Sequence, residues 1–285
     1  MYNELKGNLF DKAGVRFVVQ REDAWHPIVG GNKTRKLYHN LIYYKQNSYE
    51  SLLTFGGAFS NHIAAVAYTG FLHGIKTIGI IRGHELSHDN KNNTLQRALR
   101  HGMQLVFVDR STYARRYLHS YHQELMRDFG NVYIIPEGGC NELGMQGCKE
   151  IINDIEVPYN YVACAVGTGT TLAGMASVLQ KNKAIGINVT QYKMDVPVQS
   201  VLNFRLEDYC HLFNNAQPGY GKWSNTLSQF CNEFEHNFKI KIEPIYTGKM
   251  FEKLFQLIEQ GWFNRGDTIV AVHTGGLQYL TSGCD

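Results

Sequence analysis

Lys33 directly follows Gly30-Gly31-Asn32 and stands at the head of a helical pattern through Leu37, Leu41 and Tyr44. An amine in the first turn of a helix sits near the positive end of the dipole, which disfavours the ammonium and favours the neutral form. A neutral amine is what a Schiff base requires. Two glycines let the backbone take conformations closed to other residues and let a ligand approach the main chain, and Asn32 is placed to cap the helix. The same octapeptide, Gly30 to Leu37, also reads as a glycine turn followed by a solvated cluster of Lys33, Arg35 and Lys36.

Three further stretches put glycines and hydroxyl or amide side chains after an apolar run. In Phe55-Gly56-Gly57-Ala58-Phe59-Ser60-Asn61-His62, backbone amides, a hydroxyl and a carboxamide converge on one point suited to a carboxylate. Ser60 and Asn61 serve equally as an ordinary helix cap. In Val166-Gly167-Thr168-Gly169-Thr170-Thr171-Leu172-Ala173-Gly174, backbone donors, hydroxyls and a helix dipole combine into a phosphate cradle. The third position of GxGxxG is not glycine and no P-loop Gly-Lys follows, which disfavours a dinucleotide or Walker site. In Val270-Ala271-Val272-His273-Thr274-Gly275-Gly276, the Thr274 hydroxyl could meet a flat ring, or Thr274 could be a turn residue and His273 a satisfied core histidine.

The elements that must position these residues follow a βα rhythm. Strands are expected at 15–19, 52–55, 75–81, 105–108, 132–135, 161–166, 184–189 and 268–272, with helices from the lysine loop to about Asn47, near Asn61, and over 95–101, 113–129 and 172–181. Short apolar strands alternating with helices argue an α/β protein with parallel sheets covered on both faces, a fold that builds its sites at the carboxyl ends of strands. With 285 residues, 44% hydrophobic and 19% charged, the chain holds one large or two modest domains. A net charge of +3 with both signs interspersed gives no basic block, so nucleic acid is not an expected partner. No apolar run spans a bilayer and Met1 to Phe10 is mixed polar, so neither membrane nor export is expected. Cys140, Cys148, Cys164, Cys210, Cys231 and Cys284 lack CxxC spacing, which fits packed thiols in a cytoplasmic protein and no metal.

Together these stretches resemble the fold type II pyridoxal-phosphate enzymes, of tryptophan synthase β-like fold. Within them the resemblance is to the group containing 1-aminocyclopropane-1-carboxylate deaminase and D-cysteine desulfhydrase. It implies two open, twisted, mostly parallel sheets with helices on both faces. Residues 1–35 and 138–285 would form a larger cofactor domain and 36–137 a smaller inserted α/β domain. Lys33 would bind pyridoxal 5'-phosphate, and Ser60, Asn61 and His62 would meet the substrate, with Asn61 also beside the cofactor's phenolic oxygen. Gly167, Thr168, Gly169, Thr170 and Thr171 would hold the phosphate and Thr274 the ring. Tyr220, in Pro218-Gly219-Tyr220-Gly221, and Tyr246, in Tyr246-Thr247-Gly248-Lys249, resemble the family's two active-site tyrosines. A homodimer and a small amino-acid substrate follow from the same resemblance.

By that resemblance the deaminase branch has a glutamate after the tyrosine at the Tyr246 site and a leucine after the histidine at the His273 site. This chain has Thr247 and Thr274. The expected activity is therefore Cα deprotonation and β-elimination of D-cysteine to pyruvate, sulfide and ammonia. Ring-opening deamination of aminocyclopropane carboxylate is the rival, and a scaffold that binds the cofactor without turnover is an answer of another class.

Overall fold

The structure is a computed structural model and describes residues 1–26, 30–87, 92–190, 196–219 and 221–277. The chain opens with β1 (Tyr2–Leu5), α1 (Asn8–Ala13) and β2 (Arg16–Gln20), and α2 (Asn32–Gln46) begins within the lysine segment. Alternation follows through β3 (Ser51–Gly56), α3 (Asn61–His73), β4 (Lys76–Arg82), α4 (Asn93–Arg100), β5 (Gln104–Val108), α5 (Arg110–Ala114), α6 (His119–Phe129), β6 (Val132–Ile135) and α7 (Glu142–Asn153). The last stretch holds β7 (Tyr161–Val166), α8 (Thr170–Ala176), β8 (Ala184–Asn188), α9 (Val196–Leu202), β9 (Cys210–Asn214), α10 (Asn225–Phe238), α11 (Thr247–Glu259) and β10 (Thr268–Val272). Two compact units result, one from Met1–Asn32 with Cys148–Leu277 and the other from Lys33–Gly147.

The first unit carries a six-stranded sheet in the order β1-β2-β10-β7-β8-β9, parallel except for β1. Its central strands are almost wholly buried, as parallel strands covered on both faces must be. Strands β1 and β9 lie outside the sequence expectation because edge strands need no continuous apolar run, and both are largely exposed or half-buried. Helices α1, α10 and α11 close a core with Phe10, Phe17, Phe234 and Phe251 at its centre. The Phe10 and Phe17 rings stack at 5.3 Å and those of Phe234 and Phe251 lie 4.7 Å apart. Burying each such ring contributes about 1.5–3 kcal/mol, which fixes α11 and the residue at its head, Tyr246.

The second unit carries the parallel sheet β5-β4-β3-β6. Leu53, Phe55, Ile78 and Ile80 pack with Tyr113, Tyr121 and Leu125 of α5 and α6. The alternate positions face α3, and there Gly79 leaves room for Met103, whose Sδ would lie 2.8 Å from a Cβ, with Ile63 beside it. The single helix expected over 113–129 is broken between Ala114 and His119. A tighter turn over Arg115–Tyr117 fills the break, in which the Tyr113 carbonyl still accepts from the backbone; Arg116 Nη1 also donates to that carbonyl at 3.2 Å and its Nε to Glu137 at 2.7 Å. Cys140, Cys148, Cys164, Cys210 and Cys231 are buried, and Cys284 lies outside the described residues. Among the described residues, no helix is long and apolar enough to cross a membrane.

Candidate active site

In the first unit, β10 runs into His273, Thr274 and Gly275, and the turn before Lys33 lies directly against them. A Cβ on Gly31, which has φ 97°, would fall 2.0 Å from the Thr274 carbonyl oxygen, and one on Gly30 2.1 Å from that of His26. Gly31 bridges to Gly275, and the Asn32 amide donates to the Thr274 carbonyl at 3.3 Å. The two glycines thus admit the chain's own backbone, where their spacing had suggested the approach of a ligand. His273 is fully buried; its Nε2–H donates to the Lys241 carbonyl at 2.7 Å and its Nδ1 accepts from the Gly275 amide at 3.2 Å. Burial lowers its pKa against the opposing charge of Asp23, so a neutral imidazole holds the turn that carries half-buried Thr274.

Asn32 is the first residue of α2 rather than the residue before it, and its Nδ2 donates to Thr171 Oγ1 at 2.7 Å. Asn32 is thereby tied to the loop after β7. There the Thr168 and Thr170 hydroxyls lie 3.0 Å apart, and Gly169 takes φ 85° at the head of α8. A Cβ on Gly169 would meet Val198 Cγ2 at 2.6 Å. One on Gly167 would meet only Tyr246 Cε1, at 3.6 Å, so among the described residues Gly167 faces open space beneath the tyrosine ring.

Tyr246 is placed by a buried carboxylate that spacing alone did not reveal. Glu243 Oε1 accepts from the Thr247 amide at 2.6 Å and the Thr247 hydroxyl at 2.9 Å, and Oε2 from the Ile245 amide at 2.7 Å. The Tyr246 amide donates to both oxygens at 3.0 Å. Burial pushes the Glu243 carboxyl up to about 7, while these hydrogen bonds oppose the rise. Fully buried Lys249, one turn on, donates from Nζ to the Gly219 carbonyl at 3.1 Å; burial lowers its pKa and Glu243 and Glu252 oppose this. The signal for Glu243 was available as an acidic residue just ahead of a helix start, the arrangement of an N-terminal cap.

In the second unit, Lys33 is half-buried in the first turn of α2. Lys36, buried one turn later, donates from Nζ to the Gly138 carbonyl at 3.0 Å. Ser60 caps α3, its Oγ accepting from the Ile63 amide at 3.3 Å, which leaves the hydroxyl proton to donate elsewhere. Asn61, the first residue of that helix, is half-buried. His62 is turned inward at 1% exposure, and neither ring nitrogen has a hydrogen-bond partner among the described residues. Burial, then the charges of Lys33 and Lys36, push its pKa well down. The first unit therefore groups the 167–171 loop with Tyr246 and, through Asn32, with Thr274; the second groups Lys33 with His62 and its neighbours. Tyr220 lies outside the described residues.

Residues 6–203 match the family described as pyridoxal-phosphate dependent enzyme. The chain belongs to that family. It is 28% identical over 291 residues to a Thermotoga maritima protein named "Putative 1-aminocyclopropane-1-carboxylate deaminase", covering 94% of this chain and 91% of that one. It is 26% identical over 297 residues to a "D-cysteine desulfhydrase" of Klebsiella pneumoniae, covering 95% and 90%. The crystal structure of an "ACC deaminase homologue" superposes with a TM-score of 0.81 at 24% identity, over 98% of this chain and 89% of that one, and shows the same fold.

The residues of this pyridoxal-phosphate dependent enzyme fit the family's cofactor. Gly167 opens on space that a phosphate oxygen can enter, the Thr168 and Thr170 hydroxyls spend one proton on their mutual bond and keep the other to donate, and Thr171, accepting from Asn32, keeps its own proton to donate. The unpartnered nitrogens of His62 are a buried polar group of the kind that a ligand or an ordered water satisfies. Gly169 is the wrong position for testing the cradle, because any side chain there meets Val198. Gly167→Asp is the informative substitution. Even at roughly 8 Å a carboxylate repels a phosphate by about 2 kcal/mol at an effective dielectric of ~20, so a carboxylate placed in that space should cost at least roughly thirtyfold in affinity. Titration of the cofactor-free protein should show that loss with the unfolding midpoint preserved; unchanged affinity removes this loop from the site.

Proposed function

We propose that the chain is a lyase that eliminates the β-substituent of a small amino acid, with D-cysteine as the substrate and pyruvate, sulfide and ammonia as products. The observation that carries this reading is the Thr247 side chain, which follows Tyr246 and is spent on Glu243. Ring opening of a cyclopropane needs an additional acid beside the tyrosine, and a threonine hydroxyl already donating to a buried carboxylate supplies none. Glu243 gives no substitute, since it is fully buried and its oxygens face the amides of 245–247.

When bound, pyridoxal phosphate supplies the electron sink for charge left on the substrate's Cα. Lys33 would hold the cofactor and, once displaced by the substrate amine, take the Cα proton. Ser60 would direct its spare hydroxyl proton to the substrate carboxylate and Asn61 would lie beside the cofactor's phenolic oxygen. The loop from Gly167 to Thr171 would fix the phosphate, and the Tyr246 and Tyr220 phenols would meet the substrate. Thr274, a neutral hydroxyl, would face the ring nitrogen without keeping it protonated, which favours prompt loss of a leaving group over a long-lived carbanion. Resemblance and the buried cysteines add a cytoplasmic homodimer to this reading, which equilibrium sedimentation and fractionation can check.

The test is an amino-acid panel scanned for sulfide, pyruvate, 2-oxobutanoate and ammonia. Sulfide and pyruvate from D-cysteine, weaker elimination from β-chloro-D-alanine, and little ammonia from aminocyclopropane carboxylate are the expected results. Faster release of 2-oxobutanoate from the cyclopropane substrate would show that the deaminase reading is right. A cofactor spectrum that no amino acid perturbs would leave a scaffold without turnover.

A further inference from the structure

Tyr246 occupies the N-cap position of α11, and its ring passes over Gly167, yet no side-chain cap bond from Tyr246 itself holds the helix start. The amides of Tyr246 and Thr247, which a helix start leaves without intrahelical partners, and that of Ile245 just ahead of them converge on the one carboxylate of Glu243. The Thr247 hydroxyl closes the ring of contacts, donating to Glu243 Oε1 at 2.9 Å and accepting from the Glu243 amide at 3.1 Å. Gly248 completes the packing, since a Cβ there would fall 2.8 Å from the Glu243 carbonyl oxygen and 2.6 Å from Cys231 Sγ. Both carboxylate oxygens are in use, the residue is fully buried, and the three amides it fixes set the main chain on both sides of Tyr246.

We infer that Glu243 is the positioning residue of Tyr246: by gripping the amides of 245–247 it holds the phenol over the Gly167 loop, and through Tyr246 it sets the rate of the reaction. This rests on the reading above that Tyr246 takes part in turnover. Such a role requires an acceptor at both oxygens. A glutamine keeps the shape but turns an NH2 donor toward backbone N–H groups, so one half of the grip is lost.

The experiment uses the holoenzyme and the variants Glu243→Gln, Tyr246→Phe and their combination. Hydrogen exchange of the 243–250 segment should rise about tenfold in Glu243→Gln while the rest of the first unit keeps its protection, as expected when local opening loses its strongest tie. In elimination kinetics the same variant should lose about tenfold in kcat with KM nearly unchanged, and the double variant should be no slower than Tyr246→Phe alone, because the two residues act as one unit. Unchanged exchange, or losses that multiply in the double variant while Tyr246→Phe is itself impaired, overturns the inference and leaves the reading of Tyr246 standing. A fully active Tyr246→Phe overturns both. Should Glu243→Gln not fold, Thr247→Val removes one ligand of the grip without burying a new polar atom, and the same two outcomes decide in the same directions at smaller amplitude.

Discussion

Lys33→Ala is expected to purify colourless with added cofactor and to lose about 10²–10⁴ of the elimination rate, the range for removing a positioned general base. In the parent enzyme, borohydride reduction followed by peptide mapping should label Lys33. Lys36 stands one turn along α2 but is buried with its Nζ on the Gly138 carbonyl at 3.0 Å, and Lys249 is fully buried with its Nζ on the Gly219 carbonyl at 3.1 Å. An amine held by a carbonyl inside the protein must break that bond, and re-bury the carbonyl unsatisfied, before it can attack a carbon. Lys33 is the half-buried one. A label on Lys36 or Lys249 would transfer the covalent role and undo the assignment built on the glycine turn.

The sequence made the scaffold legible where the physics is local. Runs such as Leu52 to Phe55 and Tyr161 to Val166 declare buried parallel strands, and Ser60, Gly167 and Thr274 each follow such a run, at the strand ends where this class of fold gathers ligands. What side-chain atoms touch was not legible in the same way. Gly30 and Gly31 announce a close approach, but only the fold reveals that the approaching group is the Thr274 main chain, from the far end of the sequence. Asn32 has the look of a cap and instead reaches Thr171 across the sheet. Edge strands β1 and β9 escape because one wet face dilutes their apolar pattern. Thr247 is the sharpest instance. Its position beside Tyr246 suggests a choice of substrate, and its atoms show a helix cap.

That difference gives Thr247→Glu its expected result, a loss of folding stability rather than a new activity. Thr247 is 0% exposed and its Oγ1 lies 2.9 Å from Glu243 Oε1, so a glutamate there brings a second carboxylate into the one already buried, and removes the hydroxyl that donated to it. An unpaired charge buried beside another of the same sign costs about 3–5 kcal/mol. Urea unfolding should register this as a falling midpoint with an unchanged slope. The pH dependence follows from Glu243, whose carboxyl burial already raises to about 7. A carboxyl whose folded pKa lies above its unfolded value contributes stability that is present at low pH and lost as pH rises through the folded value. A second carboxylate alongside raises the folded values further, so the deficit of Thr247→Glu against the parent should be largest near pH 8 and shrink toward pH 5. Adding Glu243→Gln to Thr247→Glu removes one of the two charges and should recover part of the loss at pH 8. Thr274→Leu, at a half-buried position that meets the glycine turn through its backbone carbonyl, should by contrast fold normally. A Thr247→Glu protein within about 1 kcal/mol of the parent at pH 8 would show that Thr247 turns outward in solution, and would remove the bond to Glu243 on which the preference for elimination over ring opening rests.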